Sequence, residues 1–451
     1  MMTTLRTMKG FWLLLALLAL VGLSRWLPWA TAINHGVALL VCIALLWLSE
    51  AVHITLTALL VPVLAVILQL LPLTQALSHF ANPVLYLFLG GFALAAALHR
   101  QQLDTELARW LIHLAGGRLS RAVLLLFLAT LLLSMWISNT ATVAIMLPLA
   151  MGLLANIDRE HQLNTHTFVL LGVAYSANIG GMGTLVGSPP NAIAAGYAHL
   201  GFMDWMQFGV PVMLLFWPLA LAVLYLLLRP NLDHPILAEE TTSVWQWTPP
   251  RICTLLIFAS TVLAWIFSGP LSSWLGGLDQ FDSLVALLAV IAVGVSGVAS
   301  WREIEQQTEW GVLLLFGGGL CLSAVLQSSG TSAFLASQLM AWCYGAPSWV
   351  LILAIASFVV FLTELASNTA VAALLIPLFA PLASGLGFSS TMMAVMVALA
   401  ASCAFMLPVA TPPNAMVYAT GRVPQRQMLR VGLVLNIGCS LVLALLVALS
   451  G

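Results

Sequence analysis

Ser134-Met135-Trp136-Ile137-Ser138-Asn139-Thr140 and Thr363-Glu364-Leu365-Ala366-Ser367-Asn368-Thr369 decide the reading of this chain. Each lies near the middle of a long apolar block, 122–155 and 347–384, and breaks it with Ser-Asn-Thr. The halves on either side run to roughly 15 residues, or about 23 Å of helix, short of the ~30 Å core of a bilayer. Two short helices meeting at a polar tip predict a re-entrant hairpin. Such a tip is tolerated at membrane depth only where it is buried in protein or lines a watery cavity.

The rest of the chain supplies the membrane context. Of 451 residues 62% are hydrophobic and only 6% are charged, against about 25% charged in soluble domains. Too few polar groups exist to cover a globular surface, so lipid is the remaining solvent. Hydropathy and breaks place an N-terminal span within 1–35 (near 11–28). A first repeat over 36–228 has scaffold spans within 36–99, near 36–50, 55–73 and 83–99. It continues with an interfacial helix 103–115, the hairpin 122–155, a broken span 168–198 and a span 208–228. A linker, 229–251, follows. The second repeat, 252–451, has spans 252–268, 283–299 and 310–327 and a weakly polar stretch 328–346. The hairpin 347–384, a broken span 391–420 and a last span 431–450 complete it. The expected fold is an all-α polytopic membrane protein with about eleven transmembrane helices plus two re-entrant hairpins.

Charge orients it. Of the 14 Lys and Arg residues all but Arg25 fall on one side of this topology, a positive-inside bias that puts the N-terminus in the cytoplasm and the C-terminus outside. Within 103–115, Leu103, Leu107, Trp110, Leu111 and Leu114 share a face, with Asp104, Glu106 and Arg109 opposite, as in a helix lying in the interface plane. His99 with Arg100 reads as an interface anchor. Arg6 and Lys9 before the apolar run Phe11–Leu23, with Ala30-Thr31-Ala32 beyond, fit a signal peptide; a retained first span fits equally and suits a chain that is membrane throughout.

Other classes find no support. The basic residues form no nucleic-acid face. Cys42, Cys253, Cys321, Cys343, Cys403 and Cys439 make no CxxC or Cys/His metal spacing and read as packing residues. No HExxH or Ser/His/Asp arrangement points to an enzyme, and no continuous polar-faced span points to a channel.

The two halves match beyond their tips. Pro148 and Pro377 stand equally far past the two threonines. Leu89-Gly90-Gly91 recurs as Phe316-Gly317-Gly318, and Ser188-Pro189-Pro190-Asn191 as Thr411-Pro412-Pro413-Asn414. An odd number of spans per copy predicts inverted topology, the plan of secondary transporters whose site lies where broken helices meet. Hydroxyls, amide oxygens and freed backbone carbonyls suit a sodium ion. Gly180, Gly181, Gly183 and Gly187 let the first broken span bend tightly. Helix N-termini beside each break favour an anion. No Lys or Arg lies in the four segments, so a bound anion needs a co-bound cation. Glu364 is an intramembrane carboxylate and a functional suspect; its counterpart Met135 is apolar, and anchoring the hairpin or coupling a proton or cation are both open to it. Glu50 and His53 read as structural or gating residues.

Taken with Trp47-Leu48-Ser49-Glu50-Ala51, Thr57-Ala58-Leu59-Leu60 and Asn178-Ile179-Gly180-Gly181, these motifs resemble the divalent-anion:sodium symporter family, the sodium-coupled di- and tricarboxylate transporters, over nearly the whole chain. The resemblance implies a dimerising scaffold and a transport domain moving as an elevator. It implies one sodium site at Ser134, Ser138, Asn139 and Gly187 and a second at Thr363, Ala366, Asn368 and Ala410. It implies substrate carboxylates at Asn139, Thr140, Asn368, Thr369, Thr411 and Pro412, with Ser188 and Pro189 nearby. The expected function is sodium-driven import of C4-dicarboxylates across the cell membrane by a homodimer. A tricarboxylate or tartrate exchanger and a sodium:sulfate symporter are the alternatives.

Overall fold

The computed structural model describes residues 2–116, 118–155, 157–233, 246–342 and 347–449. The middle of the expected linker, 234–245, and Cys343 lie outside the described residues. The architecture is helical. Helix α1 (Met2–Trp26) precedes two copies of one series. The first copy runs α2 (Thr31–Ser49), α3 (Ile54–Ile67), α4 (Leu73–Ser78), α5 (Pro83–Arg100), α6 (Leu103–His113), α7 (Leu119–Ser134), α8 (Asn139–Leu153), α9 (Leu163–Gly180), α10 (Pro189–Ala198) and α11 (Phe202–Leu228). The second runs α12 (Pro249–Ile266), α13 (Ser268–Trp274), α14 (Phe281–Ser296), α15 (Trp301–Gln307), α16 (Trp310–Ser328), α17 (Thr331–Trp342), α18 (Ser348–Thr363), α19 (Asn368–Phe379), α20 (Ser390–Ala401), α21 (Pro412–Ala419) and α22 (Gln425–Leu449). The orders correspond element by element once α13 is set aside.

Among the described residues seven helical stretches are long and apolar enough to cross a membrane: Lys9–Trp26, Thr31–Ser49, Leu73–Arg100, Phe202–Leu228, Pro249–Ile266, Trp310–Ser328 and Gln425–Leu449. Of the other expected spans, α3 and α14 have only 14 and 16 residues, and the remaining two are the broken pairs α9–α10 and α20–α21. Two expectations change. The stretch 328–346, read only as weakly polar, contains α17, the counterpart of α6. Its apolar periodicity is poor, so packing rather than pattern makes it helical. Asp104, expected on the polar face of α6, is buried, because His99 Nδ1 at the end of α5 lies 3.0 Å from its carboxylate. His99 is therefore a partner for Asp104 rather than a free interface anchor.

Packing repeats along with order. Helix α5 packs on α14, and α16 packs on α3. Both approaches are set by glycine. A Cβ on Gly90 would stand 2.6 Å from Ala286 Cβ, and one on Gly318 would stand 2.7 Å from Ala58 Cβ. Small residues let helix backbones close up where hydrophobic burial gives helices in lipid no drive to associate. Corner contacts repeat too: Trp47 Nε1 donates to the Ile54 carbonyl at 3.1 Å, and Trp265 Nε1 donates to the Asp282 carbonyl at 3.0 Å. Both tryptophans are fully buried.

Gly90→Ala therefore forces α5 away from α14. We expect a loss of about 1–3 kcal/mol, read as a lower thermal unfolding midpoint in detergent. Gly152→Ala, with nothing within 4 Å of the new methyl, is the control. Equal midpoints for both variants would refute the close approach.

Candidate functional site

Both hairpin tips and both breaks open onto one cavity of about 530 Å³. Ser138, Asn139 and Thr140 line it from the first tip, and Ala366, Ser367, Asn368 and Thr369 from the second. Gly187, Ser188, Pro189, Ala410, Thr411 and Pro412 line it from the two breaks. Ser134 and Thr363 stand directly behind the wall, fully buried. Every site residue expected from the sequence is thus in the wall or one layer behind it.

Local chemistry explains the breaks. Prolines occupy the first positions of α10 and α21, where a missing N–H costs nothing. They begin the second half of each broken helix rather than merely ending the first. The bend itself is braced by the asparagine after each Pro-Pro. Asn191 Nδ2 donates to the carbonyls of Gly181 at 2.8 Å and Thr184 at 2.7 Å. Asn414 Nδ2 donates to those of Ala404 at 3.0 Å and Leu407 at 3.1 Å. Freed carbonyls at membrane depth would otherwise be costly.

Oxygens crowd together behind the tip in each copy. Ser134 Oγ lies 2.6 Å from Asn139 Oδ1 and 2.7 Å from the Ala177 carbonyl oxygen. Thr363 Oγ1 lies 2.7 Å from Asn368 Oδ1 and 2.8 Å from the Ala401 carbonyl oxygen. A hydroxyl has one proton to give, so with the two amides in these orientations one of its two short contacts is oxygen against oxygen. A cation between them would relieve that contact. In the first copy more oxygens converge: a Cβ on Gly181 would press on Asn139 Oδ1 and stand 2.8 Å from the Gly187 carbonyl, and one on Gly187 would stand 3.0 Å from that of Ser134. Only glycine allows this approach. Neutral oxygens of this kind fit a hard monovalent ion such as sodium.

Ser138 also N-caps α8, its Oγ accepting from Ala141 N at 3.3 Å. The dipoles of α8, α19, α10 and α21 begin at the cavity wall, positive end first.

Glu364 is anchored from four sides. Its Oε1 accepts from Phe405 N at 2.6 Å, Met406 N at 2.8 Å and Asn436 Nδ2 at 2.7 Å, and its Oε2 accepts from Leu407 N at 2.9 Å. Three successive amides of the second break point at one carboxylate. Four donors on one side chain fit an ionised carboxylate that anchors the second break, with one lone pair of Oε2 left over. The first copy lacks this charge. There Thr184 Oγ1 donates to the Met135 carbonyl, and Trp205 Nε1 donates to that of Met182 at 3.0 Å.

The two tips also differ in surroundings. Trp136 stacks on Phe202 with centroids 6.1 Å apart and meets Phe258 edge-on at 5.2 Å. Its counterpart Leu365 is 73% exposed, beside Val409 at 82%, both lining the cavity.

Sequence reasoning missed part of the wall. Glu50, Ile54, Phe88, Phe92, Asn178, Glu309 and Val312 also line the cavity. Glu50 and Glu309 sit at helix ends, where a carboxylate reads as solvated. Asn178 carried a usable signal, a lone amide in an apolar helix beside a Gly-Gly. Among the described residues neither Lys nor Arg lines the cavity.

Glu364→Gln turns an amide NH₂ toward donors that need an acceptor. We expect a loss of about 2 kcal/mol, read as a lower thermal unfolding midpoint. A variant as stable as the parent would mean that the carboxyl is held in its neutral form.

Comparisons with known proteins identify the family. The family described as citrate transporters matches residues 44–401. An uncharacterized transporter of Haemophilus influenzae is 50% identical over 98% of this chain and 97% of its own length. The sodium-dependent dicarboxylate transporter SdcS of Staphylococcus aureus is 32% identical, covering 93% of this chain and 86% of that protein. Among solved structures the fold resembles the Alcanivorax borkumensis YdaH transporter (TM-score 0.56, 17% identity, 84% of this chain and 87% of that one). It also resembles Neisseria gonorrhoeae MtrF (TM-score 0.58, 13% identity, 84% of each chain). The chain is an integral membrane transporter, not an enzyme, and it belongs to the citrate-transporter family within the divalent-anion:sodium symporters.

Proposed function

We propose that this protein imports C4-dicarboxylates such as succinate, malate or fumarate, driven by sodium. The observation that carries the reading is the shared cavity, into which two crowded groups of oxygens and four helix N-termini open, with no cationic side chain among the described residues that line it. Two sodium ions would offset a dianion. Ser134, Ser138, Asn139 and Gly187 would hold one; Thr363, Ala366, Asn368 and Ala410 would hold the other. The carboxylates would take hydrogen bonds from Asn139, Thr140, Asn368, Thr369 and Thr411, with Ser188, Pro189 and Pro412 shaping the wall. Each asparagine would give its oxygen to sodium and its NH₂ to the anion. A dianion alone would lose its hydration without compensation, so binding of the two solutes is coupled. The relatives named sodium-dependent dicarboxylate transporters support this choice of substrates.

Movement follows the same proposal. The copies sit in inverted topology, the N-terminus faces the cytoplasm, and the hairpins with the broken spans travel as one body against a dimeric scaffold. The family description names citrate, and a cavity of about 530 Å³ has room for a tricarboxylate. Exchange of such an acid for a dicarboxylate is the second reading.

Uptake of labelled succinate into proteoliposomes separates the two. Symport predicts accumulation only with an inward sodium gradient, and a fall of about tenfold or more for Asn139→Ala or Asn368→Ala. Uptake that ignores sodium but requires internal acid would establish exchange. Normal transport by both variants would refute the site.

A further inference from the structure

Asn178 lies at the end of α9 in the first copy, yet its amide reaches into the second. Nδ2 is 3.3 Å from Thr411 Oγ1 and 3.4 Å from Asn414 Oδ1. The amide can face only one way. Asn414 Nδ2 is committed to two carbonyls of the second break, so its Oδ1 must accept. Asn178 therefore presents its NH₂ there, and Asn178 Oδ1 is left buried without a partner.

This bond has a consequence for Thr411. Its oxygen accepts from Asn178 Nδ2 and, at 3.3 Å, from Asn414 N. Those donors fill both of its lone pairs. Among the described residues no hydrogen bond uses its single proton. Thr411 lines the cavity, so that proton has the cavity to point into.

The first copy is built otherwise. If Ala177 and Ala401 correspond, as their contacts with Ser134 and Thr363 indicate, then Asn178 corresponds to Ser402. Ser402 Oγ donates back to the Ala398 carbonyl at 3.1 Å and reaches no partner copy. Ser188, the counterpart of Thr411, makes no capping bond, and Asn191 Oδ1 has no donor. One cavity hydroxyl is oriented; its mate is a free rotor.

We propose that Asn178 is a positioning residue that fixes Thr411 as a hydrogen-bond donor to the transported anion, making the two ends of the substrate site unequal. The inference rests on the proposed function, in which Thr411 meets a carboxylate. An oriented hydroxyl meets the anion without first losing rotational freedom. Replacing the NH₂ by an acceptor reverses it: the hydroxyl proton then turns toward residue 178 and its lone pairs toward the anion.

A double-mutant cycle tests this in proteoliposomes. The probe is whichever of succinate, citrate, tartrate and sulfate the parent protein takes up best with a sodium gradient. Asn178→Asp and Thr411→Val should each raise KM about tenfold, with the maximal rate nearly unchanged. Together they should raise it little beyond either alone, because both remove the same donated proton; independent effects would multiply to about a hundredfold. Asn178→Ser, which exchanges the amide NH₂ for a shorter hydroxyl and adds no anionic acceptor, should shift KM less than Asn178→Asp. Equal shifts for Ser and Asp, or a multiplicative double variant, would overturn the positioning role and leave a structural one. A parent protein that moves none of the four anions would instead overturn the proposed function and this inference with it.

Discussion

A doubly charged anion inside a bilayer needs positive charge beside it, and among its described residues this chain brings no Lys or Arg to the cavity where its polar groups converge. The cavity instead has crowded oxygens. Two hydroxyls, Ser134 and Thr363, each face two acceptors with one proton to share. In the proposed reading the missing positive charge and the surplus oxygen are one fact seen from two sides: sodium relieves the crowding and makes the anion's position tolerable. Much of the surrounding architecture serves to hold those oxygens close. Glycines at 181 and 187 permit the approach, Asn191 and Asn414 brace the bends, and Glu364 pins the second break by three of its amides.

The two copies are alike where the oxygens crowd together and unlike in what supports them. The hydroxyl–amide pairs and the Pro-Pro-Asn braces repeat almost atom for atom. The anchors do not. A carboxylate holds the second break, whereas backbone carbonyls, a threonine and a tryptophan hold the first. Trp136 is docked in an aromatic group, while Leu365 stands open in the cavity. Two copies in identical surroundings would give a cavity with no preferred side.

Much of this was legible in the sequence because membrane depth makes polar residues conspicuous. An Asn-Thr pair inside 30 apolar residues has few innocent explanations, and its recurrence beside a second motif fixed the repeat. Hairpin limits came within a few residues for the same reason. Legibility failed where the signal depended on partners. The helix α17 has no clear apolar stripe, so only its packing reveals it. Asp104 looks like a solvated charge until His99 is found beside it. Glu50 and Glu309 look like ordinary helix ends, because nothing local shows that both face a common cavity. Glu364 was conspicuous, but its choice between anchoring and coupling needed the three amides of residues 405–407, which no spacing rule would supply.

The central claim is that sodium and the anion each need the other because they share the same two amide groups. Equilibrium binding of labelled dicarboxylate to purified protein, measured across sodium concentrations, tests it most directly. The account predicts affinity that falls away as sodium is removed, and sodium affinity raised by the anion by the same factor, since such coupling is reciprocal. Equal affinity for the dicarboxylate with and without sodium would contradict it.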